Sequence, residues 1–135
     1  MLYLEVEIKK MKKVITTKNA PAAIGPYSQA ILSNNTLYCS GQIAINPQTG
    51  SLVIDNIRNE TMQVMRNISE VLKAADMDFS NIVKCSIFMK DMNDYSEINK
   101  VYSMYFIEEP PAREAIEVSA LPKNVNVEIS VIAVK

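Results

Sequence analysis

Residues 125–134, VNVEISVIAV, constrain the fold more than any other stretch of this 135-residue chain. Val125, Val127, Ile129, Val131 and Ala133 alternate onto one side of a strand, while Ile132 and Val134 fall on the other. A strand that is apolar on both sides has to be covered on both sides. The rest of the sequence offers two amphipathic helices as cover. Asp55 is placed to cap the first, in which Ile57, Thr61, Val64, Ile68, Val71, Leu72 and Ala75 recur at spacings of three and four. The second spans 94–107, with Tyr95, Ile98, Val101 or Tyr102, and Tyr105 as its apolar stripe. Two such helices cover one face of a sheet. The other face is expected to be covered by another subunit, which makes the protein an oligomer.

The remaining strands follow from alternation and turn residues. KKVITT (12–17) is a short strand, and 19–30 is a loop punctuated by Pro and Gly. Strands at 30–33 and 36–45 are joined by Asn34-Asn35, a pair that tolerates the left-handed angles of a tight hairpin. A strand over 82–90 places Val83, Cys85, Ile87 and Met89 on one face. After Pro110-Pro111, residues 112–119 alternate again, Arg113, Ala115 and Glu117 against Glu114, Ile116 and Val118. The last strand covers 125–134. The order β, β-hairpin, α, β, α, β, β mixes elements without strict alternation. It predicts the α+β class, a single mixed sheet with two helices on one face. Asp76 follows the first helix where Gly is usual, a weaker cap. Residues 1–11 read as an N-terminal extension, flexible or an extra strand, ahead of a single domain over 12–135.

Composition excludes several kinds of chemistry. The chain has no histidine, which removes Ser-His-Asp and Cys-His catalysis, HExxH metal sites and any histidine base. Three glycines cannot build a Gly-rich phosphate loop. Cys39 and Cys85 sit apart in apolar runs and read as buried free thiols in a reducing compartment, not as metal ligands. With 14 basic and 15 acidic residues the net charge is −1, which argues against a non-specific grip on nucleic acid or membrane. No apolar run is long enough to span a membrane. The charges interleaved in MLYLEVEIKKMKK do not fit a signal peptide, so a cytoplasmic location is expected.

Five places carry candidate chemistry. Arg113 opens a strand directly after two prolines. It is a surface arginine at a strand start, or a guanidinium on a rigid mount that clamps a carboxylate with a planar fork lysine lacks. Glu128 lies between Val127 and Ile129; it pairs with a lysine of a neighbouring strand or carries a proton at a pKa raised by burial. Gly25-Pro26 presents Tyr27 from a loop, either to pack on the rim or to bind. Ser40-Gly41 interrupts a strand, the mark of a bulge or a close backbone approach where an N–H could meet a ligand. Asn99 stands on the second helix between Ile98 and Lys100.

Taken together, APAAIGPYSQA (20–30), SGQIAINPQTG (40–50), IVKCSIFMKDMNDYSEINKVY (82–102), PPAREAIEV (110–118) and LPKNVNVEISVIAV (121–134) resemble the RidA family, also called YjgF or L-PSP. The resemblance covers 12–135. It implies a chorismate-mutase-like α+β fold, assembled as a homotrimer around a central barrel with sites in clefts between subunits. It implies cofactor-independent hydrolysis of 2-imino acids and their enamine tautomers, such as 2-aminoacrylate and 2-iminobutanoate, to 2-keto acids and ammonia. Arg113 matches the family's carboxylate-binding arginine and Glu128 the glutamate that positions or protonates. Tyr27 matches a tyrosine lining the cleft, Ser40 and Gly41 a pair beside the substrate, and Asn99 an asparagine near the site. Several members follow the arginine with Ser and Cys, whereas Glu114 and Ala115 stand here. The rival functions are an endoribonuclease or translation inhibitor, and a non-catalytic binder of small carboxylates.

Overall fold

The computed structural model describes residues 2–3 and 11–135; the extension read over 1–11 lies largely outside the described residues. The elements are β1 (Lys12–Ile15), β2 (Ala30–Ser33), β3 (Thr36–Cys39), α1 (Ile57–Ala74), β4 (Ile82–Met89), α2 (Tyr95–Ser103), β5 (Ala112–Glu117) and β6 (Val127–Val134). They form one six-stranded sheet in the order β1-β2-β3-β6-β4-β5. Every neighbouring pair is antiparallel except β4 with β5, whose connection runs through α2. The α+β class, the mixed sheet and the two helices therefore stand as the sequence implied.

Both helices lie on one sheet face. From β6, Val127, Ile129, Val131 and Ala133 point into the core with Ile68, Val71 and Leu72 of α1 and Ile98 and Tyr102 of α2. Burying each such large aliphatic side chain is worth about 1.5–3 kcal/mol. The alternate positions of β6, Glu128, Ser130, Ile132 and Val134, look out from the opposite face, on which neither α1 nor α2 packs. Tyr38, Ile116 and Val134 are exposed there.

Several local features follow from capping and turn chemistry. Asn34 and Asn35 both adopt positive φ, 48° and 70°, between paired Ser33 and Thr36, as a two-residue hairpin requires. At the end of α1, Asp76 takes φ 57°; its N–H donates to Lys73 O and that of Met77 to Leu72 O, a Schellman closure built on Asp. The Nterminal cap of α1 is Asn56, not Asp55. Asn56 has extended backbone and its side chain accepts from Asn59 N at 2.8 Å, while Asp55 accepts from the Asn59 amide.

Other boundaries differ from the sequence reading. β3 ends at Cys39, not 45: Ser40 N still donates to Gln29 O in line with the β2 ladder, but against β6 the register slips by one residue between the Tyr38–Ile132 and Gln42–Ile129 pairs. An irregularity between Ile82 and Lys84 puts Ile82 in the core and leaves Val83 exposed, off the face of Cys85, Ile87 and Met89. α2 stops at Ser103 instead of 107. Phe106 folds back onto Tyr102 and Phe79, and Pro110-Pro111 could not continue a helix. β5 ends at Glu117 rather than 119, and β6 begins at Val127, with Val125 buried just ahead of it.

Candidate active site

Arg113 stands on the edge strand β5, opposite Cys85, with its side chain on the helix side of the sheet. Pro110 and Pro111 lead into it and the ladder with β4 fixes the backbone after it. Its Nη1 donates to Asn99 Oδ1 and its Nη2 to the Tyr95 hydroxyl, each at 2.8 Å. Its Cζ lies 4.8 Å from the centroid of the Tyr102 ring. Among the described residues the ion pairs are Lys73–Glu70, Lys84–Glu114 and Lys100–Glu97, and Arg113 belongs to none. A half-buried guanidinium is thus held entirely by neutral groups. Among the described residues no carboxylate compensates its charge, and of its five N–H donors two are engaged. Beneath it, burial pushes up the pKa of both the Cys85 thiol and the Tyr102 phenol, so neither supplies a counter-charge.

Glu128 projects from the opposite face of the sheet. It is half-buried beside β4 Phe88, and burial raises its carboxyl above the ordinary carboxylate range. The backbone at Gly41 presses against it: a Cβ on Gly41 would come within 2.8 Å of the Glu128 carboxyl carbon. Glycine is favoured there because it lets the Glu128 carboxyl sit close, not because of backbone angles. Glu128, Gly41, Gln42 and Tyr27 line a cavity of about 70 Å³ under the 21–27 loop. Buried Gln29 ties that loop down. Its amide donates to Pro21 O at 2.8 Å and Thr17 O at 3.0 Å, and its oxygen accepts from Thr17 N at 2.7 Å. Tyr27 is half exposed at the loop tip, its hydroxyl accepting from Ile24 N. The Ser40 hydroxyl donates to Ser28 O at 2.6 Å, which engages its one hydrogen in holding the same loop.

The candidate residues therefore fall into two groups. Arg113 and Asn99 meet on the helix side; Glu128, Gly41 and Tyr27 meet on the uncovered side, with Ser40 next in sequence. The sheet stands between them, so within one chain a small ligand cannot touch Arg113 and Glu128 together. The spacing reads Tyr95 and Tyr102 as apolar stripe; Tyr102 does join the core while Tyr95 is exposed, and both also wrap the guanidinium. The signal was present: Tyr95, Asn99 and Tyr102, spaced four and three, put three polar tips in one column of a helix. Gln29 and Gln42 left no such periodic trace. Among the described residues no three His, Cys, Asp or Glu side chains gather as a metal site would need.

These features define a small α+β protein with a half-buried guanidinium on one side of its sheet and, on the other, a half-buried carboxyl whose pKa burial raises. A family model described as Endoribonuclease L-PSP matches residues 17–135. A Bos taurus 2-iminobutanoate/2-iminopropanoate deaminase is 50% identical over 125 residues, 93% of this chain and 91% of that one. The solved Rid-family protein YyfA of Yersinia pestis is 54% identical with a TM-score of 0.90, covering 92% and 99% of the two chains. E. coli TdcF, solved with bound serine, is 36% identical with a TM-score of 0.88, covering 91% and 98%. The chain belongs to the RidA family, also called YjgF or L-PSP.

Proposed function

We propose that this chain is a 2-iminobutanoate/2-iminopropanoate deaminase, a cytoplasmic homotrimer that hydrolyses reactive imino acids to 2-keto acids and ammonia without a cofactor. The observation that carries the reading is the Arg113 guanidinium, fixed by Asn99, Tyr95 and Tyr102 and paired with no carboxylate among the described residues. Such a group is prepared for an anion, and a planar fork suits a carboxylate. The deaminase relatives and the serine found in TdcF support a small amino- or imino-acid ligand.

The chemistry asks little beyond this. The carbon of a protonated imine is electrophilic. Water adds to it, a proton passes to nitrogen, and ammonia leaves as the C=O bond forms. Arg113 holds the substrate carboxylate. Glu128, with a carboxyl that burial keeps protonated to higher pH, gives a proton to nitrogen or orients the water. Because the two residues look out from opposite faces, Glu128 is contributed by a neighbouring copy, and the uncovered face is where copies meet. Tyr27 and Gly41 travel with Glu128 as the other wall of the cleft.

The direct test is Arg113→Ala and Arg113→Lys, assayed on imine generated in situ by a threonine dehydratase. Loss of two charge-assisted hydrogen bonds should cost at least about a hundredfold in kcat/KM for Arg113→Ala, and Lys should not restore it. Full activity in Arg113→Ala would sink the mechanism. Mixing unfolded Arg113→Ala and Glu128→Gln chains and refolding them together should recover about a quarter of parental activity if each site draws on two copies. RNA cleavage, named in the family description, would regain standing only if repurified protein cleaved RNA and Arg113→Ala did not.

A further inference from the structure

Arginine is a poor clamp unless it is held. Its side chain carries about 2 kcal/mol of rotamer entropy, and a fork that rotates freely presents its paired donors to a carboxylate only part of the time. The restraints on Arg113 divide by geometry. Stacking on Tyr102, at 4.8 Å, fixes the plane of the guanidinium. Within that plane a single bond from Nη1 to Asn99 Oδ1 would still leave a hinge. The second bond, from Nη2 to the Tyr95 hydroxyl, removes it.

We propose that Tyr95 is a positioning residue for carboxylate binding: its hydroxyl locks the in-plane rotation of the Arg113 fork so that the remaining N–H donors face the ligand. The inference rests on the reading of Arg113 as the carboxylate clamp. The chemistry of the locking group matters. An Asp or Glu at this position would hold the fork equally well but would cancel the charge that the ligand needs. A phenylalanine would keep the ring and lose the acceptor. A tyrosine hydroxyl accepts from Nη2 while staying neutral. Three donors of the guanidinium then remain, enough for a bidentate carboxylate. Tyr95 is also 37% exposed, so its hydroxyl is not engaged in holding the core.

Tyr95→Phe in the full-length protein isolates that hydroxyl. The probes are imine generated in situ, the unreactive acid 2-ketobutyrate, and its uncharged amide. Loss of one charge-assisted bond should raise KM and the Kd of 2-ketobutyrate about tenfold with kcat unchanged. The Kd of the amide and the melting temperature should stay at parental values, which a general structural defect would not allow. If Tyr95→Phe binds 2-ketobutyrate like the parent while Arg113→Ala loses it, the positioning role of Tyr95 is wrong and the clamp survives. An equal loss for acid and amide would also overturn the role. If Arg113→Ala itself binds 2-ketobutyrate like the parent, the clamp reading fails and takes this inference with it.

Discussion

Gly41→Ala is the substitution whose consequence can be worked most directly from the geometry. Gly41 does not need glycine for its backbone, since its φ is outside the left-handed region. The added methyl is the whole perturbation. It would lie 2.8 Å from the Glu128 carboxyl carbon and Oε2 and 3.0 Å from Cγ, where ordinary contact begins at 3.4 Å. The carboxyl must therefore retreat by at least 0.6 Å, from 2.8 to 3.4 Å. Glu128 is half-buried and can rotate away, so the stability cost should sit near the low end for overpacking, about 1 kcal/mol. Catalysis is less forgiving. A displacement approaching an ångström from a productive geometry costs roughly tenfold to a hundredfold in rate. Gly41→Ala should thus lose most of its kcat on imine generated in situ while melting close to the parent. A double-mutant cycle with Glu128→Ala, read by urea unfolding at fixed protein concentration, checks the cause: with the carboxyl gone, Gly41→Ala should cost nothing in stability. Parental kcat in Gly41→Ala, or an equal stability cost in both backgrounds, would refute the argument.

Three further outcomes are expected. Glu60 is fully buried on α1 and accepts from the Asn126 and Val127 backbone N–H groups and the Asn126 amide at the start of β6; Glu60→Ala leaves these donors unpaired and should cost about 3 kcal/mol in urea unfolding. Burial raises the Glu128 pKa, so the folded chain binds that proton more tightly than the unfolded one. The resulting destabilisation is absent below the ordinary value of 4.5 and complete above the folded pKa. Glu128→Gln should therefore melt higher than the parent at pH 7 and lose that gain by about pH 4, and a difference constant with pH would contradict the assignment. Cys39, pushed up to about 12, and buried Cys85, also raised, should resist iodoacetamide at pH 8 in the native protein and react in urea; rapid native labelling of either would show that its site opens.

Much of the architecture was legible in the residues. Periodicity marked α1, β4, β5 and β6, and Asn34-Asn35 marked the hairpin, because each of these is a local pattern that neighbouring side chains repeat. The two-sided apolar strand also announced a sheet face on which α1 and α2 do not pack. Boundaries were harder. The end of β3 at Cys39 depends on a one-residue slip in its register with β6, and the exposure of Val83 depends on the register of β4 with β6. Neither partner is adjacent in sequence, so no window of residues contains the cause.

The candidate site divides in the same way. The sequence by itself determined which side chains were available: an arginine on a proline mount, a glutamate in an apolar strand, a glycine at a strand break, and no histidine to compete with them. Only the tertiary structure decided their company. It laid Tyr95 and Tyr102 around Arg113, although their spacing alone reads as core, because packing α2 beside β5 turns that stripe toward the sheet edge. It set Gly41 against Glu128 through the return of the chain at Gln42. It also put Arg113 and Glu128 on opposite faces, since side chains alternate along a strand and a core fills one side of the sheet. A one-residue change of register in either strand would have placed them on one face, and register is fixed by pairing across the sheet rather than along the chain.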